Sequence, residues 1–383
     1  MEEWKEYKLG EIAEFRTGKL NSNAAVQDGK YPFFTCAPET YCINVYAFDQ
    51  KAILLAGNNA EGNFSIKYYE GKFNAYQRTY VINPISDVVD IRFLYYALQL
   101  CLQQFKTLSQ GTSTKFLTAK ILNAFCIQVP SLIIQKRIAG ILKSLDDKIE
   151  VNRRINDNLE QQAQALFKSW FVDFEPFKNG DFTETDFGLI PKEWRILAFK
   201  DFIEASTEKA PVDSLPEYSV TNNGIIPREA KFNKKLSKSS SMNKVLRKDN
   251  LVFGMSREIL NWGIMEDEIG GVSSAYNIYK LNQQLISPTY LKLYMKARLS
   301  DFNSLIGTAA REGQSLDKGQ LMQKQIYIPS EKVLQDFFDI YRPITKAKRH
   351  VSNETSSIAS LRDTLLPRLM LGELKVNEIE NVI

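Results

Sequence analysis

The chain echoes itself about half-way along, and an internal duplication restricts the architecture before any motif is weighed. Phe125–Pro130 (FCIQVP) ends in an apolar strand and a proline, as does Gln325–Pro329 (QIYIP), so Pro130 falls on Pro329 at a shift of 199. The same shift carries Leu94 and Tyr95 onto Leu293 and Tyr294, and Tyr80 and Asn83 onto Tyr279 and Asn282. Each half opens on a tryptophan, Trp4 before KEYKLGEIAEFRTGK and Trp194 before RILAFKDFIEASTEK. A strand and a glycine- and asparagine-rich turn follow, at Ile53–Ile66 and Leu251–Met265. The triplets Ala75-Tyr76-Gln77 and Ala275-Tyr276-Asn277 close that part. Any one echo is within chance, but their shared order argues for two copies of one unit.

Each copy reads as short β-rich segments punctuated by Gly, Pro and Asn, with one helix near Ile91–Phe105 or Pro288–Leu299. Each then ends in a long helix. From Ile134 to Trp170, apolar residues recur mostly three or four apart at Ile138, Ile141, Leu145, Ile149, Ile155, Leu159, Ala163 and Leu166. After Pro329 a second stripe runs from Val333 through Phe337, Ile340, Ile344, Ala347 and Val351 to Leu365. Such a stripe serves a helix packed on its own domain, or two helices packed on each other. The duplication favours the second, because each helix supplies the partner the other needs. Pro343 is expected to kink or break the second helix near Tyr341.

The expected fold class is therefore α+β: two pseudo-repeated α/β domains, each followed by a long helix, with the helices pairing as an antiparallel coiled-coil spacer. The expected boundaries are 1–130 and 178–329 for the domains, and 131–177 and 330–383 for the helical regions.

A length of 383 residues suits two or three domains, and 44% hydrophobic with 25% charged residues is ordinary soluble composition. No apolar run nears the roughly 20 residues that cross a bilayer, and MEEWKEYKLG has neither a basic nor an apolar leader region. A cytoplasmic location without membrane contact is expected. Cys36, Cys42, Cys101 and Cys126 form no Cys-x-x-Cys pair, and His350 is the only histidine. Disulfides, metal and cofactor are accordingly not expected.

No catalytic motif survives inspection. Gly307–Ser315 (GTAAREGQS) has the wrong glycine spacing for a phosphate loop, and Gly18-Lys19 is followed by Leu20. Asn83-Pro84-Ile85 lacks the second proline and the aromatic of an amino-methyltransferase tetrapeptide.

Binding features are better represented. The net charge is only +4, but the basic residues Arg228, Lys231, Lys234, Lys235, Lys238, Lys244, Arg247 and Lys248 lie together against the single acid Glu229. Interleaved Ser and Asn make this stretch suited to phosphate contact, or simply a solvated loop. The two turns carry side chains of the base-reading type, since Asn and Gln bond bidentately to adenine and Arg to guanine. Asn58, Asn59 and Arg257 are the first base-contact candidates, with Gln77, Arg78 and Asn277 behind them. Asn beside Gly equally serves a hairpin turn.

The helical segments resemble a known family, the specificity subunits of Type I restriction-modification systems. Gln135–Ile155 (QKRIAGILKSLDDKIEVNRRI) and Leu166–Phe177 (LFKSWFVDFEPF) look like its first conserved helical region. Phe187–Trp194 (FGLIPKEW) resembles the entry to its second recognition domain, and Leu361–Leu374 (LRDTLLPRLMLGEL) the end of its second conserved region. The resemblance implies two target recognition domains on double-stranded DNA, each reading half of an asymmetric, bipartite site. It also implies helices that dock two methyltransferase subunits and, where one accompanies them, restriction subunits. Catalysis would lie in those partners, leaving this chain non-catalytic. The apolar helical face at Leu166, Phe167, Trp170 and Phe171, with Leu365 and Leu366, is the expected docking surface. Two other classes compete: a coiled-coil adaptor without DNA specificity and a solitary DNA-modifying enzyme. Neither accounts for duplicated domains joined to duplicated helices.

Overall fold

The computed structural model describes residues 4–85, 87–209, 215–228, 243–256, 259–307 and 316–376. The chain divides into two units, residues 1–155 with 351–383, and residues 156–350. Among the described residues no helix is long and apolar enough to cross a membrane.

The first unit opens with β1 (Lys5–Lys8), α1 (Leu9–Ile12) and β2 (Ala13–Thr17). Then come β3 (Tyr31–Phe34), β4 (Thr40–Ile43), β5 (Phe48–Ala56), β6 (Asn58–Asn59), β7 (Ile66–Ala75) and β8 (Thr79–Pro84). It continues through α2 (Ile91–Leu100), α3 (Leu102–Leu108), β9 (Lys115–Phe116), α4 (Ala119–Ala124) and β10 (Cys126–Val129), after which α5 (Leu132–Phe171) begins. A six-stranded sheet runs in the order β2-β8-β5-β7-β3-β4, with only the β3–β7 pairing parallel. In its centre β5 changes from the alternating Phe48–Lys51 to Ala52–Ala56, every residue of which is buried. A strand covered on both faces needs such a continuous apolar run. Ile53 and Leu55 pack in one cluster with Phe93, Leu94 and Leu98 of α2, while Ala52 and Leu54 join Phe34, Phe73 and Val81 on the other face.

Local chemistry fixes where α2 and α5 start. The Asp90 carboxylate caps α2 by accepting from the amides of Arg92 (2.9 Å) and Phe93 (3.0 Å). Gln135, fully buried on the first turn of α5, donates to the carbonyls of Val88 (2.9 Å) and Pro130 (2.8 Å), and its Oε1 accepts from the Asp90 amide (2.8 Å). One side chain thus satisfies three backbone groups and ties the helix to the domain before it. Gln135→Leu is expected to cost about 2 kcal/mol or more, since it strands polar groups away from water. Urea denaturation of the full chain checks this; a loss within error of zero would mean the three groups find other partners.

The second unit contains β11 (Phe182–Thr185), β12 (Gly188–Pro191), β13 (Arg195–Ala198), α6 (Phe199–Phe202), β14 (Ile203–Ser206), β15 (Tyr218–Thr221) and β16 (Gly224–Pro227). Then follow β17 (Lys244–Arg247), β18 (Leu251–Phe253), β19 (Trp262–Ile264), β20 (Ile269–Val272), β21 (Asn277–Leu281), α7 (Pro288–Ala297), α8 (Leu299–Phe302), α9 (Lys318–Gln323), β22 (Gln325–Ile328) and α10 (Glu331–Met370). Its largest sheet runs β14-β21-β18-β19. In each unit a strand early in the domain pairs antiparallel with the last strand before a long helix: β1 with β10 (Lys5 with Val129) in the first, β13 with β22 (Arg195 with Ile328) in the second.

Aromatic rings dominate the second core. Phe171 lies 4.8 Å from Phe337, 5.2 Å from Tyr290 and 5.8 Å from Trp194, centroid to centroid. The Tyr327 hydroxyl donates to the Phe171 carbonyl (2.6 Å). This corrects the expected docking surface. Phe167 and Phe171 are 2% and 0% exposed, and Leu166 and Trp170 are half-buried against the same cluster. Leu365 and Leu366, 8% exposed, belong to the first unit's core. The apolar face is covered by the chain's own domains, because burying it intramolecularly costs no association entropy.

Both long helices span 40 residues, about 60 Å. The expected break at Pro343 does not occur: α10 runs through it and through Pro367. The Thr345 hydroxyl donates to the Arg342 carbonyl (3.0 Å), supplying a bond within the turn that the proline disturbs. In the first unit Arg362 of α10 donates to Asp146 of α5 (2.9 Å), and Asn152 to Glu354 (2.8 Å), so these two segments run antiparallel. In the second, Lys348 of α10 donates to Glu160 of α5 (2.5 Å).

Glu160 also pairs with Lys296 and accepts from Gln164. Burial pushes its carboxyl up, but these three donors outweigh it and hold it down to about 2, below the ordinary 4.5. A depressed carboxyl stabilises the fold above its unfolded pKa, and that contribution fades as pH falls from 4.5 towards 2. Glu160→Gln should therefore melt below the natural chain near neutral pH, with the difference closing across this window. A difference in melting temperature independent of pH would contradict the assignment.

Candidate nucleic-acid interface

At the carboxyl end of β5 the chain must pass close to β8. The Gly57 amide donates to the Arg78 carbonyl (2.8 Å), and a Cβ on Gly57 would lie 2.5 Å from that oxygen, so only glycine fits. This crossing presents Asn58 and Arg78 side by side. Beneath them β6 pairs with β9, matching Asn58 to Phe116 and Asn59 to Lys115. The Arg78 guanidinium lies 5.5 Å from the centre of the Phe116 ring, itself 36% exposed.

These candidates differ in what their side chains are free to do. Asn58 is half-buried, and its Oδ1 is enclosed with no hydrogen-bond partner among the described residues. A buried acceptor left open is costly unless something else fills it. The Asn59 Oδ1 accepts from the amides of Glu61 (2.8 Å) and Asn63 (3.0 Å), so this residue builds the turn. Gln77 is exposed and donates to the Asn21 side chain (2.7 Å). Two cations border the group: Lys106, bonded to Asn63 (2.7 Å), and Lys115, whose stem lies beside Gly62. Phe116 and Lys115 escape sequence reasoning because β9 follows Arg78 by 37 residues, and Lys106 because it lies on α3, just past the helix read at Ile91–Phe105.

The second unit treats its candidates differently. Arg228 bonds Ser219 (3.2 Å) and lies 3.8 Å from Glu217, and Lys244 donates to the Tyr276 carbonyl (2.6 Å). Burial, with a smaller push from Lys318, lowers the Lys244 ammonium pKa. Both cations brace their own domain. Asn277 opens β21, half-buried opposite Phe253. Lys231, Lys234, Lys235, Lys238 and Arg257 lie outside the described residues. A hollow of about 470 Å³ adjoins the β15–β16 turn, lined among others by Asn222, Asn223, Trp262 and Lys292.

The arrangement suits recognition rather than bond-breaking: amide donors and acceptors, a guanidinium on an aromatic ring, and flanking cations. No group of three or more His, Cys, Asp or Glu residues suited to a metal occurs among the described residues.

A family described as the Type I restriction modification DNA specificity domain matches residues 1–161. The Type I restriction enzyme EcoDI specificity subunit of Escherichia coli is 40% identical over 193 residues, spanning 50% of this chain and 40% of that protein. The MjaIX specificity subunit of Methanocaldococcus jannaschii is 26% identical over 308 residues, spanning 77% of this chain and 71% of that one. In fold, the chain matches a crystal structure of a Type I restriction-modification S subunit from M. genitalium with a TM-score of 0.61, 15% identity and 96% of each chain covered.

Proposed function

We propose that the chain is the sequence-reading subunit of a Type I restriction-modification complex, because residues 1–161 match the family described as the Type I restriction modification DNA specificity domain. The observation that carries this reading is the family match over the segment that holds Asn58, Arg78 and Phe116 at one sheet end. Residues 1–130 and 178–329 act as two target recognition domains, each reading one half of an asymmetric, bipartite site. Similar strand pairing at the mouth of each unit supports two copies of one module. Residues 131–177 and 330–383 form the helical spacer, which also docks two methyltransferase subunits and, where present, restriction subunits in the cytoplasm. Methyl transfer and cleavage reside in those partners, and this chain holds no cofactor.

Co-expression with the methyltransferase encoded beside it, followed by genome-wide mapping of methylated adenine, tests the proposal. A single split motif is expected; methylation that is absent, or that follows no split motif, overturns it.

Within that reading, Asn58 and Arg78 make base contacts and Lys106 makes phosphate contacts. Asn58→Ala with Arg78→Ala should weaken specific binding roughly 30- to 20,000-fold, at about 1–3 kcal/mol for each good bidentate contact. Lys106→Ala should weaken binding to all sequences alike and lower the salt slope by about 1. Fluorescence anisotropy across a salt series separates the two; equal losses on specific and random duplexes for the double variant would move Asn58 and Arg78 out of the base-reading set.

A further inference from the structure

In each unit one carboxylate of α5 is gripped from two directions. In the first, Asp146 Oδ2 accepts the Tyr96 hydroxyl of α2 (2.7 Å) while its Oδ1 accepts Arg362 Nη1 of α10 (2.9 Å). In the second, Glu160 Oε2 accepts Lys348 Nζ of α10 (2.5 Å), and its Oε1 pairs with Lys296 of α7. Tyr96 and Lys296 sit within one residue of the 199 shift that relates the two halves. The acids and donors differ, yet the order is the same: domain helix, carboxylate, second long helix. Neither carboxylate stands open to solvent, with side chains 33% and 30% exposed, so each bond is less screened than a surface pair.

Resting on the DNA-reading proposed above, we infer that Asp146 and Glu160 are positioning residues, each holding its recognition domain at one angle on the long helices so that the unread gap has a single length. Hydrophobic contact between a domain and a helix is non-directional and lets the domain pivot. A carboxylate whose two oxygens are held by two different helices fixes rotation as well as distance. The demand is strict, since one base pair added to the gap moves a half-site by about 3.4 Å and turns it by about 35°. The second clasp is the softer of the two. Lysine ammoniums are mobile point charges, whereas Arg362 and the Tyr96 hydroxyl are directional donors.

The test uses the full-length chain and duplexes carrying the mapped motif with the natural gap, or with the gap changed by one base pair either way. Glu160→Gln should reduce the preference for the natural gap roughly 5- to 10-fold, the size of one partly shielded charge interaction, while affinity for a duplex bearing one half-site changes less than about 2-fold. Asp146→Asn should act in the same direction. The charge-swapped triple variant Glu160→Lys, Lys296→Glu, Lys348→Glu should restore the preference, which a purely structural role does not predict. Unchanged gap preference in both single variants, or half-site affinity that falls in step with it, overturns the inference. A natural chain with no split-site preference sinks the DNA-reading itself, and the positioning role with it. That failure is distinguishable, because it appears before any variant is made.

Discussion

Phe171→Ala is expected to lower the stability of the second unit by about 3–5 kcal/mol, the loss that follows removal of a fully buried aromatic ring. The ring is 0% exposed and meets Phe337, Tyr290 and Trp194 within 5.8 Å, in tilted and edge-on arrangements that add to simple burial. Alanine keeps the backbone carbonyl that accepts the Tyr327 hydroxyl, so the change removes packing and leaves that hydrogen bond its acceptor. Three of the four tryptophans, Trp170, Trp194 and Trp262, lie in residues 156–350, so intrinsic fluorescence during urea denaturation reports mainly on this unit. Trp170→Ala, on the same helix but only half-buried, should cost clearly less. A Phe171→Ala loss below about 1 kcal/mol would mean that the ring is not core, and would return it to the docking surface.

How that ring came to be expected on a docking surface shows what a sequence conveys. The stripe from Ile138 to Trp170 announces a helix, and α5 covers Leu132–Phe171. Periodicity says that one face is apolar and does not say what covers it. Phe167 and Phe171 are covered by Tyr290 and Phe337, which follow more than a hundred residues later. The same blindness applies to charge. Arg228 and Lys244 read as free phosphate contacts among neighbouring lysines, yet Ser219 and the Tyr276 carbonyl hold them. Asn59 illustrates the opposite case. Its local Asx turn involves only Glu61 and Asn63, so sequence reasoning names the turn as readily as the base contact. Pro343 misleads because a proline penalty of about 3 kcal/mol is a local term, whereas a 40-residue helix packed along its length is held by many contacts. Where the determining partner is close in sequence the residues speak for themselves, and where it is distant only the fold identifies it.

Exchange of residues 1–130 for the corresponding segment of a relative that reads a different half-site should replace one half of the methylated motif completely and leave the other half untouched. The cut is favourable on physical grounds. It carries both strands of the Lys5–Val129 pairing, the whole six-stranded sheet, and the Asn58, Arg78 and Phe116 group in one piece. It leaves Gln135 on the retained helix, and the partners of that side chain are backbone groups at 88, 90 and 130, which any incoming segment of the same backbone supplies. Asp146 is retained as well, so the incoming segment needs a hydroxyl donor where Tyr96 stands to keep the α2 bond; Tyr96→Phe in the parent chain measures that requirement alone. Each altered base pair at about 1 kcal/mol or more weakens the old site at least roughly fivefold, and because the losses multiply across a half-site, methylation mapping registers the change as a clean switch. If both halves of the motif change together, the two domains do not read independently. If neither changes, bases are read outside residues 1–130, and the sheet-end group built on Gly57 serves the fold alone.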